Sequence, residues 1–352
     1  MRHFGLDVHK RQTTFYWMDD ETGEVSRCHT VPSAELVAHL ASIPGPKQLV
    51  LECRTSSRFL AARLSSLPEA QVLVLDAYKA KRTLQAWHPG RKTDKLDAKG
   101  LARLSYEGAA RGLAVWVPDA ETRDWRALTR TRQVLVEQAA ALQNQVRSFL
   151  QAEGLQCTSS SLLSGKGARE LAERAAQLSP LGQQCLASLR AQIADLKTQV
   201  AGLHRQLRQR VEADPRCALL RTIPGCGLVL AAMIVAEIGE RSRFESAQQL
   251  RSYAGLTPSI SQSGERSYTG PLTRGNPHLK YALVLLAQHF SWDHRFRESR
   301  YCGSYYRCLH QYGPQPAKVA LARHLCDVIY ALLRDQTVYR ASRPAPPGGA
   351  AG

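Results

Sequence analysis

"QLVLECRTSSRFLAARLSSLPEAQVLVLDA", residues 48–77, decides the fold class. Residues 48–53 and 71–77 are apolar runs rich in valine and leucine, read as buried strands, and residues 57–67 between them carry apolar side chains at helical spacing. Strand, helix and strand in that order predict a parallel βα unit, which needs helices on the faces of its sheet. Upstream, residues 3–8 and 13–18 are rich in branched and aromatic residues, and the turn signal "DDETGE" leads to a third predicted strand over 25–31. A helical stretch at 33–40 precedes the opening run, and basic helices follow it through Leu104. The result is a mixed sheet: three meandering strands, then βα units.

From about Asp119 the strands are expected to stop. Trp125, Leu128, Leu135, Ala139, Leu142, Val146 and Phe149 recur at alternating spacings of three and four, interrupted once by Arg132. Residues from Leu186 through Ile193 and Val200 to Leu207 keep the same rhythm, a coiled-coil period. Heptads fix neither partner nor orientation, so an antiparallel pair within the chain and a dimer interface both stay open. Between them "CTSSSLLSGKGA" reads as a loop at the far end of a helical hairpin, and it lacks the spacing of a phosphate-binding P-loop. A third unit begins near Ala218. There "TIPGCG" introduces an apolar helix, either as a plain Pro-Gly turn or as a helix-hairpin-helix anion site offering backbone amides at Gly225 and Gly227.

The 352 residues are enough for two or three units, and 44% hydrophobic residues can fill at least one sizeable core. Forty-seven Lys and Arg against 30 Asp and Glu give a net charge of +17. That excess fits a phosphate-dense partner: nucleic acid first, an anionic membrane surface second. No apolar run reaches about 18 residues and the start resembles no signal peptide, so a cytoplasmic protein is expected with no membrane partner. The nine cysteines form no C-x-x-C pair, which argues against a zinc site and a disulfide scaffold.

Residues 79–103 hold eight Lys and Arg and two acids, Asp94 and Asp97, in "RKTDKLDAKG". Three positions apart, the two share a helix face. Asp94 as N-cap with Asp97 as its partner is one account; half of a metal site is the other. Asp7 in the first strand and Glu52 ending the fourth raise the second account, because an isolated charge on a buried strand needs a partner. An Asp on the first strand, a Glu at the end of the fourth and two acids on a late helix resemble the layout of RuvC-like nucleases with the RNase H fold. Such carboxylates repel one another unless a divalent cation joins them, and oxygen ligands suit Mg²⁺ or Mn²⁺.

"LDVHK", "LEC", "KTDKLDAK", "TIPGCG", "RFESAQQLRSYAGLTP", "SG" and "RGNPHLKYAL" occur in the order found in the DEDD transposases of the IS110 insertion-sequence family, which the chain resembles from about residue 3 to 335. The resemblance implies three segments, a RuvC-like domain at 1–118, a coiled-coil arm at 119–213 and a mostly helical transposase domain at 214–338, and the Pro/Gly/Ala composition beyond them predicts a disordered tail at 339–352. It implies Asp7, Glu52, Asp94 and Asp97 as a metal-binding catalytic tetrad and Ser263, before Gly264, as a nucleophile forming a phosphoserine link to DNA. Lys92, Lys95, Lys99, Gly225, Gly227, Arg266, Arg274 and Lys280 are the expected nucleic-acid contacts. The implied partners are a noncoding bridge RNA that guides the protein, donor and target double-stranded DNA, and further copies forming dimers that join into tetramers. Two departures stand out: Cys53-Arg54-Thr55 where small residues and glycine are usual, and Lys280 where arginine is common. Two other functions remain: a RuvC-like nuclease for branched DNA, or a noncatalytic RNA- or DNA-binding scaffold.

Overall fold

The computed structural model describes the chain except residues 55–56, 88–92, 160, 164, 264–265 and 341–352. It divides into two compact units, Met1–Val117 and Pro118–Gly352. Among the described residues no helix is long and apolar enough to cross a membrane.

The first unit contains β1 (Arg2–Val8), β2 (Gln12–Asp19), β3 (His29–Pro32), α1 (Leu36–Ala41), β4 (Lys47–Glu52), α2 (Ser57–Leu64), β5 (Ala70–Leu75), α3 (Ala77–Trp87), α4 (Asp94–Tyr106) and α5 (Ala110–Leu113). Its sheet has the order β3-β2-β1-β4-β5, with β1 antiparallel to β2 and parallel to β4, and β4 parallel to β5. The expected mixed sheet is therefore present, but the third strand is shorter and later than 25–31. Residues 25–26 keep only an isolated bridge, Met18 to Val25, and beside it the Ser26 hydroxyl, in place of a backbone carbonyl, accepts the Trp17 amide at 2.9 Å.

Alternation along the strands sorts their side chains to two faces. Phe4, Leu6, Leu49 and Leu51 face one way and pack with Phe15, Leu36, Leu40 and Leu64. Val50 and Leu75 face the other, against Leu84, Leu101 and Leu104. Gly5 lies on this second face, where a Cβ would stand 2.0 Å from the Ala98 carbonyl oxygen and 2.4 Å from the Ala102 amide nitrogen. Helix α4 thus rests directly on the backbone of β1. Asp7, two residues beyond Gly5, shares that face, and so does Glu52, two beyond Val50.

The second unit holds α6 (Ala120–Ala152), α7 (Gly165–Ala175), α8 (Pro180–Ala213), α9 (Pro215–Leu220), α10 (Leu228–Ile238), α11 (Ala247–Tyr253), β6 (Pro258–Ser263), β7 (Arg266–Leu272), α12 (Pro277–Trp292), α13 (Cys302–Tyr312) and α14 (Pro314–Asp335). The two long helices pair antiparallel within the chain. Trp125 near the start of α6 joins Leu207 and Val211 near the end of α8, while Val146 and Leu150 join Leu186 and Ile193. The base of this pair shares a core with α10, α12 and α14, so residue 213 does not separate two cores. Helix α10 is buried on all sides, as its uninterrupted apolar run requires.

One expectation fails here: strands do not stop after Asp119. Residues read as a polar loop from Ala254 form an antiparallel hairpin, β6 on β7. A Ser-Gly pair flanked by Ile260 and Tyr268 is a hairpin signal that the surrounding serines obscured. The expected disordered tail falls almost wholly outside the described residues, although Tyr339 at its start packs edge-on against Phe290.

Candidate active site

Asp7 and Glu52 lie on adjacent parallel strands, one residue beyond the last paired residues, Leu6 and Leu51. Asp7 is only 4% exposed. Two basic side chains sit against it. Nε2 of His9 is 3.1 Å from Oδ2 of Asp7 and 3.5 Å from Oδ1 of Asp94. On the other side, Nη2 of Arg54 is 3.7 Å from Oδ1 of Asp7 and donates to Oε2 of Glu52 at 3.2 Å. One ligand atom from each of Asp7, His9 and Asp94 lies within 4.8 Å of the others, the single such group among the described residues. The fold thus brings three of the four expected acids, Asp7, Glu52 and Asp94, to one end of the sheet. Their oxygen donors fit a hard divalent cation such as Mg²⁺ or Mn²⁺.

The start of α4 corrects one expectation. Asp94 is not the N-cap; Thr93 is, its hydroxyl accepting the Leu96 amide at 3.2 Å. The threonine hydroxyl takes the capping role one residue earlier, and the Asp94 carboxylate is left to face His9. Asp97, half-buried, stands in the same first turn with its amide bonded to the Thr93 carbonyl at 2.9 Å. It lies outside the three-residue group. Both acids are placed favourably toward the positive end of the helix dipole. Lys95 and Lys99 are exposed on α4, with the Lys99 ammonium 5.5 Å from the centre of the Tyr16 ring. Lys92 lies outside the described residues.

His9 and Arg54 were not among the expected site residues. An Asp-x-His at a strand end puts both side chains on one side of the sheet by period-two alternation, and Glu-x-Arg does the same at the next strand. Those spacings were the available signal.

In the second unit, Ser263 ends β6 and pairs in register with Arg266 at the start of β7. The hairpin root is tightly held. The Thr273 amide donates to the Thr257 carbonyl at 2.9 Å, and a Cβ on Gly275 would stand 2.3 Å from the Gly255 amide nitrogen. Arg274 is exposed beside it. Asn276 then caps α12, its Oδ1 accepting the His278 and Leu279 amides, while its Nδ2 donates to buried Glu237 at 2.7 Å. Arg130 makes a two-pronged contact to the same Glu237 carboxylate at 2.7 and 2.8 Å. Burial pushes the Glu237 carboxyl up, but the bonds from Arg130 and Asn276 hold it below the ordinary glutamate value. Lys280, one turn into α12, lines a shallow groove with Tyr281 and Gln288. Gly225 has a packing role: its backbone abuts His289 and Phe290 of α12, and the Cys226 and Gly227 amides already bond within the turn.

A sheet end carrying clustered carboxylates agrees with a family model for transposases, the DEDD type of IS110 elements, that matches residues 4–153. The class is therefore a transposase with a DEDD domain, and that domain implies use of a divalent metal. A second model, described as "Transposase IS116/IS110/IS902 family", matches residues 217–301 and so includes the hairpin. The chain belongs to the IS110/IS116/IS902 family of insertion-sequence transposases. It is 27% identical over 258 residues to the transposase for insertion sequence element IS1111A of Coxiella burnetii, covering 71% of this chain and 68% of that one. Identity to the transposase for element IS1328 of Yersinia enterocolitica is 22%, over 70% of this chain and 73% of the relative. An uncharacterized 43.6 kDa protein of insertion element IS110 from Streptomyces coelicolor is 33% identical over 45% of this chain and 38% of its own length.

Proposed function

We propose that this chain is an RNA-guided DNA recombinase that moves an insertion sequence, cutting and exchanging strands through a covalent phosphoserine intermediate. The observation that carries the reading is the placement of Asp7, Glu52 and Asp94 at one end of a mixed sheet, the layout of an RNase H-like, RuvC-like metal site. Asp97, in the same turn as Asp94, completes the proposed tetrad. These four residues, with His9 beside them, would hold Mg²⁺ or Mn²⁺, which supplies Lewis-acid stabilisation of charge at a phosphate.

Ser263 is the proposed nucleophile. Its Oγ forms a bond to the phosphorus of a DNA phosphodiester as the bond from phosphorus to a sugar oxygen breaks, and that oxygen takes up a proton to leave a free hydroxyl. Because the phosphoester is conserved, attack by a hydroxyl of another strand reverses the step and reseals DNA without ATP. A serine hydroxyl needs activation, and Arg266, its register partner, and Arg274 at the hairpin root are the nearby cations proposed to stabilise the phosphate. Lys92, Lys95, Lys99 and Lys280 are proposed to grip nucleic-acid backbone, which the net charge of +17 supports. The bridge RNA, donor and target DNA, and a dimer joining into a tetramer complete the reading on the strength of the family resemblance. A metal-dependent nuclease for branched DNA is the second reading, because all four acids belong to the unit Met1–Val117 and Ser263 does not.

The test is incubation of the protein with its RNA, Mg²⁺ and end-labelled element-junction DNA. A protein–DNA adduct stable in SDS is expected for wild type and absent for Ser263→Ala and Asp97→Asn. Cleavage without adduct in Ser263→Ala would make the chain a nuclease, and no cleavage by wild type would make it a scaffold.

A further inference from the structure

The segment after β4 fixes a basic side chain over the acids by its own hydrogen bonds. The Arg54 amide donates to the Ser57 hydroxyl at 2.7 Å, and that hydroxyl donates back to the Arg54 carbonyl at 2.6 Å. The Ser57 amide adds a third bond to the same carbonyl at 3.2 Å. Ser57 is 1% exposed, so this clasp is part of the core. The Cys53 amide is tied to the Leu75 carbonyl on β5 at 2.8 Å. Held on both sides, Arg54 directs one guanidinium nitrogen into the gap between Asp7 and Glu52, 3.7 Å from one carboxylate and 3.2 Å from the other.

Two carboxylates on neighbouring strands repel each other, and a positive charge between them removes the conflict. Arg54 supplies one such charge from within the chain. Its side chain keeps 39% of its exposure, whereas Asp7 keeps 4%, so the guanidinium has an outward path that the acid lacks. On the opposite side of Asp7, the group formed with His9 and Asp94 is free of Arg54. The two sides of one buried carboxylate are therefore unequal.

We propose that Arg54 is a tethered countercation that occupies the Asp7–Glu52 side of the site and must swing outward before Glu52 can join Asp7 in ligating a divalent cation. Resting on the metal reading of this site, the inference adds to it a chain-encoded competitor and an order of use. Asp7 first engages a cation together with Asp94, and Glu52 becomes a ligand only when Arg54 leaves. Once displaced, the guanidinium remains within reach of the carboxylates by its tether, so the acids stay compensated whenever the cation is lost.

The test compares full-length wild type, Arg54→Gln and Arg54→Lys for Mn²⁺ binding, read by the electron paramagnetic resonance of free Mn²⁺, and for melting temperature in a chelator. Arg54→Gln is expected to bind Mn²⁺ about tenfold more tightly than wild type, the loss of one competing ion pair. It should melt lower than wild type in chelator and show the larger rise on adding Mn²⁺. Arg54→Lys, keeping the charge, is expected to stay within about threefold of wild type. Equal or weaker Mn²⁺ binding by a folded Arg54→Gln overturns the inference alone. Absence of Mn²⁺ binding by both wild type and Arg54→Gln overturns it together with the metal reading.

Discussion

Asn276 and Glu237 are joined side chain to side chain: the amide Nδ2 of Asn276, one residue before α12, donates at 2.7 Å to Oε2 of Glu237, buried near the end of α10. Because Asn276 also caps α12 and stands at the end of the short link 273–275 after β7, one carboxylate anchors the root of the segment that carries Ser263. Arg126 adds a second tie, donating to the Ala236 and Glu237 carbonyls at 2.9 and 2.8 Å. Glu237→Gln is expected to destabilise the second unit by about 3 kcal/mol, since it leaves buried guanidinium charge without its anion. Melting temperature should fall by about 2–4 °C per kcal/mol; a change under about 2 °C would show the network to be dispensable.

The same carboxylate sets an acid limit. Its pKa in the folded chain lies below the ordinary 4.5, so the stability it contributes is fully present above that value and is lost as pH falls through the folded pKa. Melting temperature followed from about pH 7 to 3 should drop on the acid side in wild type and drop less steeply in Glu237→Gln.

Thr93 and Asp94 are adjacent but should respond differently. Thr93→Ala removes the cap of α4 and is expected to cost about 1 kcal/mol. Asp94→Asn retains the cap, with a loss of about 0.3–1 kcal/mol from the helix dipole. Mn²⁺ binding should reverse the ranking, with Asp94→Asn the weaker binder; equal binding by both variants would remove Asp94 from the site.

Gly275→Ala tests the hairpin root. Its Cβ would meet the Gly255 amide nitrogen at 2.3 Å and the Tyr253 carbonyl oxygen at 2.7 Å, backbone atoms that cannot rotate aside. A cost of about 1–3 kcal/mol is expected, with covalent adduct formation lost and Mn²⁺ binding by the first unit unchanged. Adduct at the wild-type level would show that the root does not position Ser263.

The thiols divide by burial. Cys217, Cys226 and Cys326 are buried, and burial pushes each thiol up to about 12, leaving almost no thiolate near neutral pH. Cys185 is exposed. Brief alkylation of the folded chain followed by peptide mass spectrometry should label Cys185 first and the three buried residues only after unfolding.

Much of the first unit was legible because its strands are long, apolar and bounded by turn residues. The sequence places Asp7 and Glu52 on two strands, the register of β1 on β4 puts them on one face, and Gly5 explains how α4 brings Asp94 to them. The cap account of Asp94 fails because a threonine one residue earlier competes for the same role, and only backbone geometry decides between Thr93 and Asp94. The hairpin of β6 and β7 was missed because its short polar strands carry little hydrophobic period, so tertiary support at Gly255 and Gly275 outweighs local propensity. His9 carries no compositional signal in a basic chain, and Arg54 stands out only as a departure from the small residues usual there; the meaning of each comes from the acid it faces.

The antiparallel pair of α6 and α8 is cemented unevenly. At one end Trp125, Leu207 and Val211 join the body, and at the other Val146, Leu150, Leu186 and Ile193 form a separate cluster with Leu162 and Leu171. Between them Ala139 is buried, while Leu135, Leu196, Val200 and Leu203 remain half-covered. The arm is mechanically a beam riveted at its two ends and loose in its span. A load applied at the tip would reach the body through helix backbone, and the flexing would concentrate in the middle, away from both clusters.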